Sequence, residues 1–255
     1  MLKKTVLLFL TGLIVILGLS GCGKQASSEK VLKVGTDATY APFGFQDEKT
    51  KEYVGFDIDL IKAIAKQAGF SVTINNLNFD GLIPALQSGN IDIAISDMTI
   101  TDERAQKVSF SKSYYKAGLG IVVKKDNSTI QSFKDLEGKR IAVSIGSTGA
   151  EEAHKIKDAN IREFNTIAEA FLELRAGGVD AVINDAPVNE YYTSHEGSKD
   201  TKTVGTQLNA EDLGIAAAKN NTELIAKLNT ALDDLKKNGE YDKIYVKWFG
   251  KQPTK

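Results

Sequence analysis

The sequence predicts an α/β protein of two similar lobes, and three observations carry that prediction. Apolar residues switch repeatedly between a period near two and a period near 3.6 along most of the chain. Residues 86–97 can be laid on residues 174–185 without a gap, each reading as helix end, glycine cap, strand and terminal aspartate. Two glycine-bearing extended stretches, one in residues 114–125 and one in residues 213–218, have the character of strands that carry the chain out to a second lobe and back. The competing explanation for the internal match is that any helix, turn and strand of an α/β protein drift toward this pattern.

The first segment lies outside the fold. Lys3 and Lys4 precede an apolar run over residues 6–17, and Leu19, Ser20, Gly21 and Cys22 follow it. A basic head, an apolar segment and small residues describe a secretory signal over residues 1–21. As a permanent span the run falls short of the ~20 apolar residues a bilayer needs. Its Leu-Ser-Gly-Cys ending looks like a bacterial lipobox, which implies cleavage before Cys22, a lipid on that residue, and a polar tether over residues 22–30. The other reading of a lone cysteine is a small buried hydrophobe. Cys22 is the only cysteine, so no disulfide forms within the chain. Losing the signal removes two lysines and no acids, which takes the formal charge from −1 to about −3. Nothing in that balance suggests a nucleic-acid partner.

The remaining ~230 residues suffice for two lobes with a core each. Val31–Thr36 reads as a strand, and residues 57–68 place Ile58, Leu60, Ile61, Ile64 and Ala65 at helical spacing before Gly69 as cap. Residues 71–75 alternate as a strand, and residues 80–88 form a short helix with Pro84 near its first turn and Gly89 at its end. The strand of residues 91–95 comes next. Arg140–Ser144 opens a second unit, in which Thr166 and Glu169 make a capping box for the helix that ends at Gly177. Residues 222–250 read as two amphipathic helices divided by Gly239, expected to pack on the first lobe, with Trp248 and Phe249 as core or docking aromatics. In such a fold, ligand residues belong at the carboxyl ends of the strands.

The run from Ile91 to Arg104 stands out. Its first half is aliphatic, while Thr99, Thr101, Asp102 and Glu103 suit the start of a helix. Arg104 is then a cation in a first turn, where the macrodipole opposes it. A guanidinium beside free backbone N–H groups makes a receptor for a carboxylate. The alternative is a surface arginine paired with Asp102 or Glu103.

Catalytic signatures are sparse. His154 and His195 are not spaced as metal ligands, and no HExxH, GxSxG or cysteine cluster occurs. Ile145-Gly146-Ser147-Thr148-Gly149 follows a strand and opens a helix, so its N–H groups could hold an anion. It lacks the GK[ST] of a P-loop and the GxGxxG of a dinucleotide site, and a small carboxylate suits it better than a nucleotide. No cofactor is expected.

Residues 31–250 resemble family 3 extracellular solute-binding proteins, the amino-acid receptors of ATP-binding cassette importers. The match rests on Val34-Gly35-Thr36-Asp37 with Tyr40-Ala41-Pro42-Phe43, then Gly55-Phe56-Asp57-Ile58-Asp59-Leu60, Ile83-Pro84-Ala85-Leu86 and Met98-Thr99-Ile100-Thr101-Asp102-Glu103-Arg104. Phe110-Ser111, Gly177-Gly178-Val179-Asp180-Ala181-Val182 and Lys247-Trp248-Phe249-Gly250 complete it. The resemblance implies a periplasmic-binding-protein type II fold with two hinge strands and a ligand in the cleft between the lobes. Lobe 1 would hold residues 31–115 and 214–255, lobe 2 residues 120–209, with hinges near 115–120 and 209–214. It further implies a monomer that binds a free L-amino acid, tethered to the membrane through Cys22 and serving a permease, as in a single-membrane bacterium.

By the same resemblance Arg104 clamps the ligand α-carboxylate, helped by Thr99 and by the loop of Thr148 and Gly149, while Asp185 takes the α-ammonium. Tyr40 and Phe79 would sandwich the ligand's stem, Asp37 would meet its distal group, and Ser96 and Asp97 would complete the contact set. Asp97 can also be read as a cap or hinge residue that points away from the pocket. Glutamine-binding relatives carry a lysine in the loop after the strand matching Arg140–Ser144 and a histidine just before the aspartate matching Asp185. Here those places hold Ser144 or Ile145, and Asn184. The loop through Gly146 and Thr148 is also one residue longer than in the glutamine receptor, as in lysine/arginine/ornithine receptors. An acidic pocket without a compensating lysine favours a cationic side chain, so arginine or lysine is expected, with glutamine as the alternative. Two other classes compete: a dehydratase-like enzyme on this scaffold, which needs an acid or base aimed at a reacting carbon, and a sensor domain, which calls for a membrane helix after the fold.

Overall fold

The computed structural model describes residues 30–253, so the signal and lipidation readings at residues 1–21 and Cys22 lie outside the described residues. The chain runs β1 (Val31–Thr36), β2 (Thr39–Tyr40), β3 (Gly44–Gln46), β4 (Tyr53–Val54), α1 (Phe56–Ala68), β5 (Ser71–Asn76), α2 (Leu82–Ser88), β6 (Ile93–Ala94), α3 (Asp102–Lys107) and β7 (Val108–Phe110). It continues through β8 (Tyr115–Lys124), β9 (Arg140–Ser144), α4 (Thr148–Ala153), β10 (Asn160–Phe164), α5 (Ile167–Ala176), β11 (Ala181–Asp185) and α6 (Ala186–Ser194). The last elements are β12 (Thr201–Leu213), β13 (Ala216–Ala218), α7 (Thr222–Lys237) and α8 (Glu240–Phe249).

Two five-stranded sheets form the lobes, in the orders β5-β1-β6-β13-β7 and β10-β9-β11-β8-β12. Each has a parallel trio, β5-β1-β6 or β10-β9-β11, flanked by a strand that runs antiparallel to it. Helices cover both faces, so the central strands are apolar on both sides. In the second lobe Val122, Ala142 and Val182 pack with α5, while Ile121, Ile141, Val143 and Ile183 pack with Ala150 and Ala153 of α4. The alternation of strand side chains sorts one run of residues into two cores.

The internal match is structural. Gly89 and Gly177 both end their helices in the left-handed conformation, at φ 73° and 82°. Asp92 accepts a 2.8 Å bond from Lys33 N, and its counterpart Asp180 accepts a 2.9 Å bond from Arg140 N. Shared helix, turn and strand character does not require the same carboxylate on the same neighbouring strand, so the two units are built alike.

Three local expectations change. The strand expected over residues 91–95 is regular only at Ile93–Ala94, while Asp92 N and Ile95 N on either side still donate to Lys33 O and Gly35 O of β1 at 2.8 and 3.2 Å. The helix expected from residue 80 begins as a 3-10 turn at Phe79–Gly81 and becomes α-helical at Leu82. The extended stretch of residues 213–218 is broken at Gly214 and Ile215 between β12 and β13. The capping box of Thr166 and Glu169 forms as expected. The tail helices dock on the first lobe, where Lys247 and Trp248 both donate to Asp59 Oδ2 at 2.7 Å.

β8 and β12 run antiparallel from one lobe into the other. A side chain at Gly118 would stand 2.3 Å from the Asn209 carbonyl, so only glycine permits this close approach.

Candidate functional site

Arg104 owes its place to a short helix. Thr101 caps α3 by accepting from Arg104 N at 3.2 Å, and this turns the guanidinium inward rather than toward Asp102 or Glu103. The side chain is 6% exposed, donates to Thr99 O and Gly146 O at 2.9 Å each, and lies 5.1 Å over the Phe79 ring. A guanidinium has five N–H groups, so three remain for another acceptor. Burial draws its pKa below the usual value, against the opposing charges of Glu151, Asp185 and Glu211.

Carboxylates face this cation from several elements. Asp37 follows β1, donates its N–H to Ser96 Oγ at 2.9 Å and accepts at Oδ1 from Thr39. Its Oδ2 is buried without a partner, and burial pushes the carboxyl up to about 6 against the Thr39 bonds. Asp97 sits at φ 51°, a strained conformation held by a 2.8 Å bond from its N–H to Asp57 Oδ2. Both Asp97 oxygens are buried and unpartnered. Its carboxyl is pushed well above the ordinary range, first by burial and then by Asp185, Asp57 and Glu211. The cap reading of Asp97 is thereby excluded, because neither oxygen bonds a backbone N–H.

Asp185 ends β11 and starts α6, with Oδ1 buried and unpartnered. Burial, then the charge of Glu211, raises it to about 7 while Arg104 acts in the opposite sense. Asn184 beside it has both amide atoms buried without partners. An unpaired buried polar group costs ~1–3 kcal/mol, so the free oxygens of Asp37, Asp97 and Asp185 make a site prepared for donors.

On the second lobe Ser147 caps α4 by accepting from Ala150 N at 3.0 Å. A Cβ at Gly149 would stand 2.8 Å from Ile183 O, which keeps the start of this helix close against β11. Tyr40 and Phe79 are buried with ring centroids 6.1 Å apart at 33°. A stem between two rings needs two contacts of ~3.5–4.0 Å, so here the pair forms one wall rather than two jaws.

The expected residues therefore converge, with Arg104, Thr99, Tyr40 and Phe79 on one side and Thr148, Gly149 and Asp185 on the other. Two groups escaped sequence reasoning. Asp57 holds Asp97 in place and carries a carboxyl raised to about 7 by burial. Glu211 accepts at one oxygen from Thr99 Oγ1 at 2.8 Å and from Thr148 Oγ1 at 3.0 Å. Among the described residues no group of three His, Cys, Asp or Glu is placed to hold a metal ion.

Residues 32–251 match the family described as bacterial extracellular solute-binding proteins, family 3. The chain is 36% identical to the arginine-binding extracellular protein ArtP of Bacillus subtilis (strain 168) over 255 residues, which covers 96% of this chain and 98% of the relative. It is also similar to solved structures of an ancestral arginine-binding protein, 48% identical in both cases. The arginine-bound form gives a TM-score of 0.84 over 87% of this chain and 99% of the other. The glutamine-bound form gives 0.82 over 88% and 99%.

Proposed function

Because this chain belongs to family 3 of the bacterial extracellular solute-binding proteins, we propose that it is the receptor of an ABC importer that captures a free polar L-amino acid, arginine or lysine before others. It acts outside the cytoplasm. The observation that carries the reading is the pairing of a buried guanidinium, Arg104, with the unpartnered Asp185 Oδ1 in the same cleft. That is the charge complement of a zwitterion. The α-carboxylate meets the three remaining N–H groups of Arg104, with the hydroxyls of Thr99 and Thr148 and the start of α4 at Gly149, and the α-ammonium meets Asp185. The side chain lies along Tyr40 and Phe79, and its cationic end meets Asp37 and Asp97, whose free oxygens lack donors. Ser96 sets the position of Asp37 through its hydroxyl.

The lobes comprise residues 31–115 with 214–255, and residues 120–209, and they close about hinges near 115–120 and 209–214. Closure is favoured when one ligand satisfies charges on both lobes. Residues 1–21 direct export, a lipid on Cys22 ties the monomer to the membrane, and the closed receptor hands its ligand to the permease. The reading involves no reaction, and incubation with candidate ligands followed by product analysis tests that point.

Glutamine is the second ligand reading, and the likeness to an ancestral arginine-binding protein solved with glutamine bound supports keeping it. A thermal-shift screen of the free amino acids, on protein stripped of bound ligand, decides between them. A tight ligand at large excess stabilises by about 3–4 kcal/mol. Responses to arginine and lysine support the first reading; a response to glutamine alone, or glutamate alone, overturns it.

A further inference from the structure

Glu211 lies on β12, remote in sequence from every motif of the site. The strand is irregular on its way there, with register shifts against β8 between Val204 and Leu208 and again between Leu208 and Glu211, and with Asn209 at φ 58°. Such bulges re-aim side chains. Its neighbour Asp212 pairs with Lys116 at 3.8 Å. Glu211 points to the cleft and forms no ion pair within 4.0 Å among the described residues. Its Oε2 is instead held by two hydroxyls from opposite lobes, Thr99 Oγ1 at 2.8 Å and Thr148 Oγ1 at 3.0 Å.

A hydroxyl has one proton to donate. Once Thr99 and Thr148 have given theirs to Glu211, neither can donate to an amino-acid carboxylate. We infer that Glu211 is an internal carboxylate that occupies part of the ligand's α-carboxylate subsite, bridging the lobes without ligand and yielding its two hydroxyl donors when ligand enters. This rests on the reading of Thr99 and Thr148 as carboxylate donors. A chain carboxylate there carries the same charge as the ligand group and lies within the field of Arg104, so it is a chemical mimic. Hydroxyls hold it at contact distance, so exchange breaks two hydrogen bonds and no ion pair. There is room for the exchange, since Glu211 also lines an open groove of about 670 Å³ with Thr99, Ser111, Lys112, Asn209 and Asp212. The acid therefore sets both the affinity and the resting compactness of the receptor.

Titration calorimetry with L-arginine on the ligand-stripped full chain tests the inference, using Glu211→Ala, Glu211→Gln and the charge-matched control Asp212→Asn. Removing the competitor should raise arginine affinity relative to Asp212→Asn by on the order of tenfold in Glu211→Ala, the worth of a hydrogen bond to a charged group, and by less in Glu211→Gln, which can still accept. Unchanged or weaker binding in Glu211→Ala, or an equal gain in Asp212→Asn, overturns it. If the parent chain binds none of L-arginine, L-lysine and L-glutamine, the functional reading has failed, and the inference is judged by solution scattering of the stripped proteins. Glu211→Ala should then be more extended than the parent chain, and identical profiles overturn the bridge.

Discussion

Arg104 donates a 2.9 Å hydrogen bond from the first lobe to the Gly146 carbonyl of the second. The residue proposed to grip the ligand thus also touches the loop that must close over it. Binding and closure are coupled through one side chain.

Arg104→Ala should abolish measurable binding in a folded protein. The loss of a buried charge-assisted pair is worth about 2–5 kcal/mol, or ~30- to ~5000-fold in affinity. Arg104→Lys should recover little of it, because an ammonium cannot present the planar fork. Calorimetry measures both, and near-parental affinity in Arg104→Ala would remove the residue from the site.

Ligand should make the molecule more compact in solution scattering, since contacts from both lobes are completed only on closure. Gly118→Val should blunt this change and lower stability. Its Cβ would meet the Asn209 carbonyl at 2.3 Å and force β8 and β12 apart. A Gly118→Val protein that closes and melts like the parent would show that the two strands need not approach so closely.

Asp97→Asn should weaken arginine and lysine more than glutamine. It keeps the shape and the Asp57 contact to its N–H while removing a carboxylate with both oxygens free. The selectivity ratio is the readout, and an equal effect on all three ligands would mean that Asp97 does not meet the distal group.

The pH dependence has an unusual sign. Burial raises the carboxyls of Asp37 to about 6 and of Asp57 and Asp185 to about 7, above an unfolded value of ~3.9. The folded chain therefore binds more protons than the unfolded chain, and the stability these groups contribute is full below pH ~4 and lost as pH rises to ~7. The ligand-free protein should melt at a lower temperature at pH 7.5 than at pH 4.5. Arginine binding runs the other way, because its cations need ionised partners, so affinity should rise from pH 5 to 8 with protons released on binding. A ligand-free melting temperature that climbs steadily over this window would contradict the assignment of buried protonated acids.

The sequence by itself determined the features whose causes are local. Gly69, Gly89 and Gly177 end helices because a left-handed residue closes the last turn, and Thr166 with Glu169 starts one because its partners are three residues apart. The ten expected site residues were named from short motifs and resemblance, and the repeat aligned Asp97 with Asp185. Only the tertiary structure pinned the Asp97 backbone, because Asp57, 40 residues away, supplies the acceptor for its N–H. Tertiary packing also set Tyr40 against Phe79 as one wall. Glu211 was illegible for the same reason: it lies on a largely exposed, bulged strand without a clear period, and its partners are 112 and 63 residues distant. A hydrogen bond to a remote hydroxyl leaves no spacing in a sequence, since it exists only once the two lobes and the crossing strands have met.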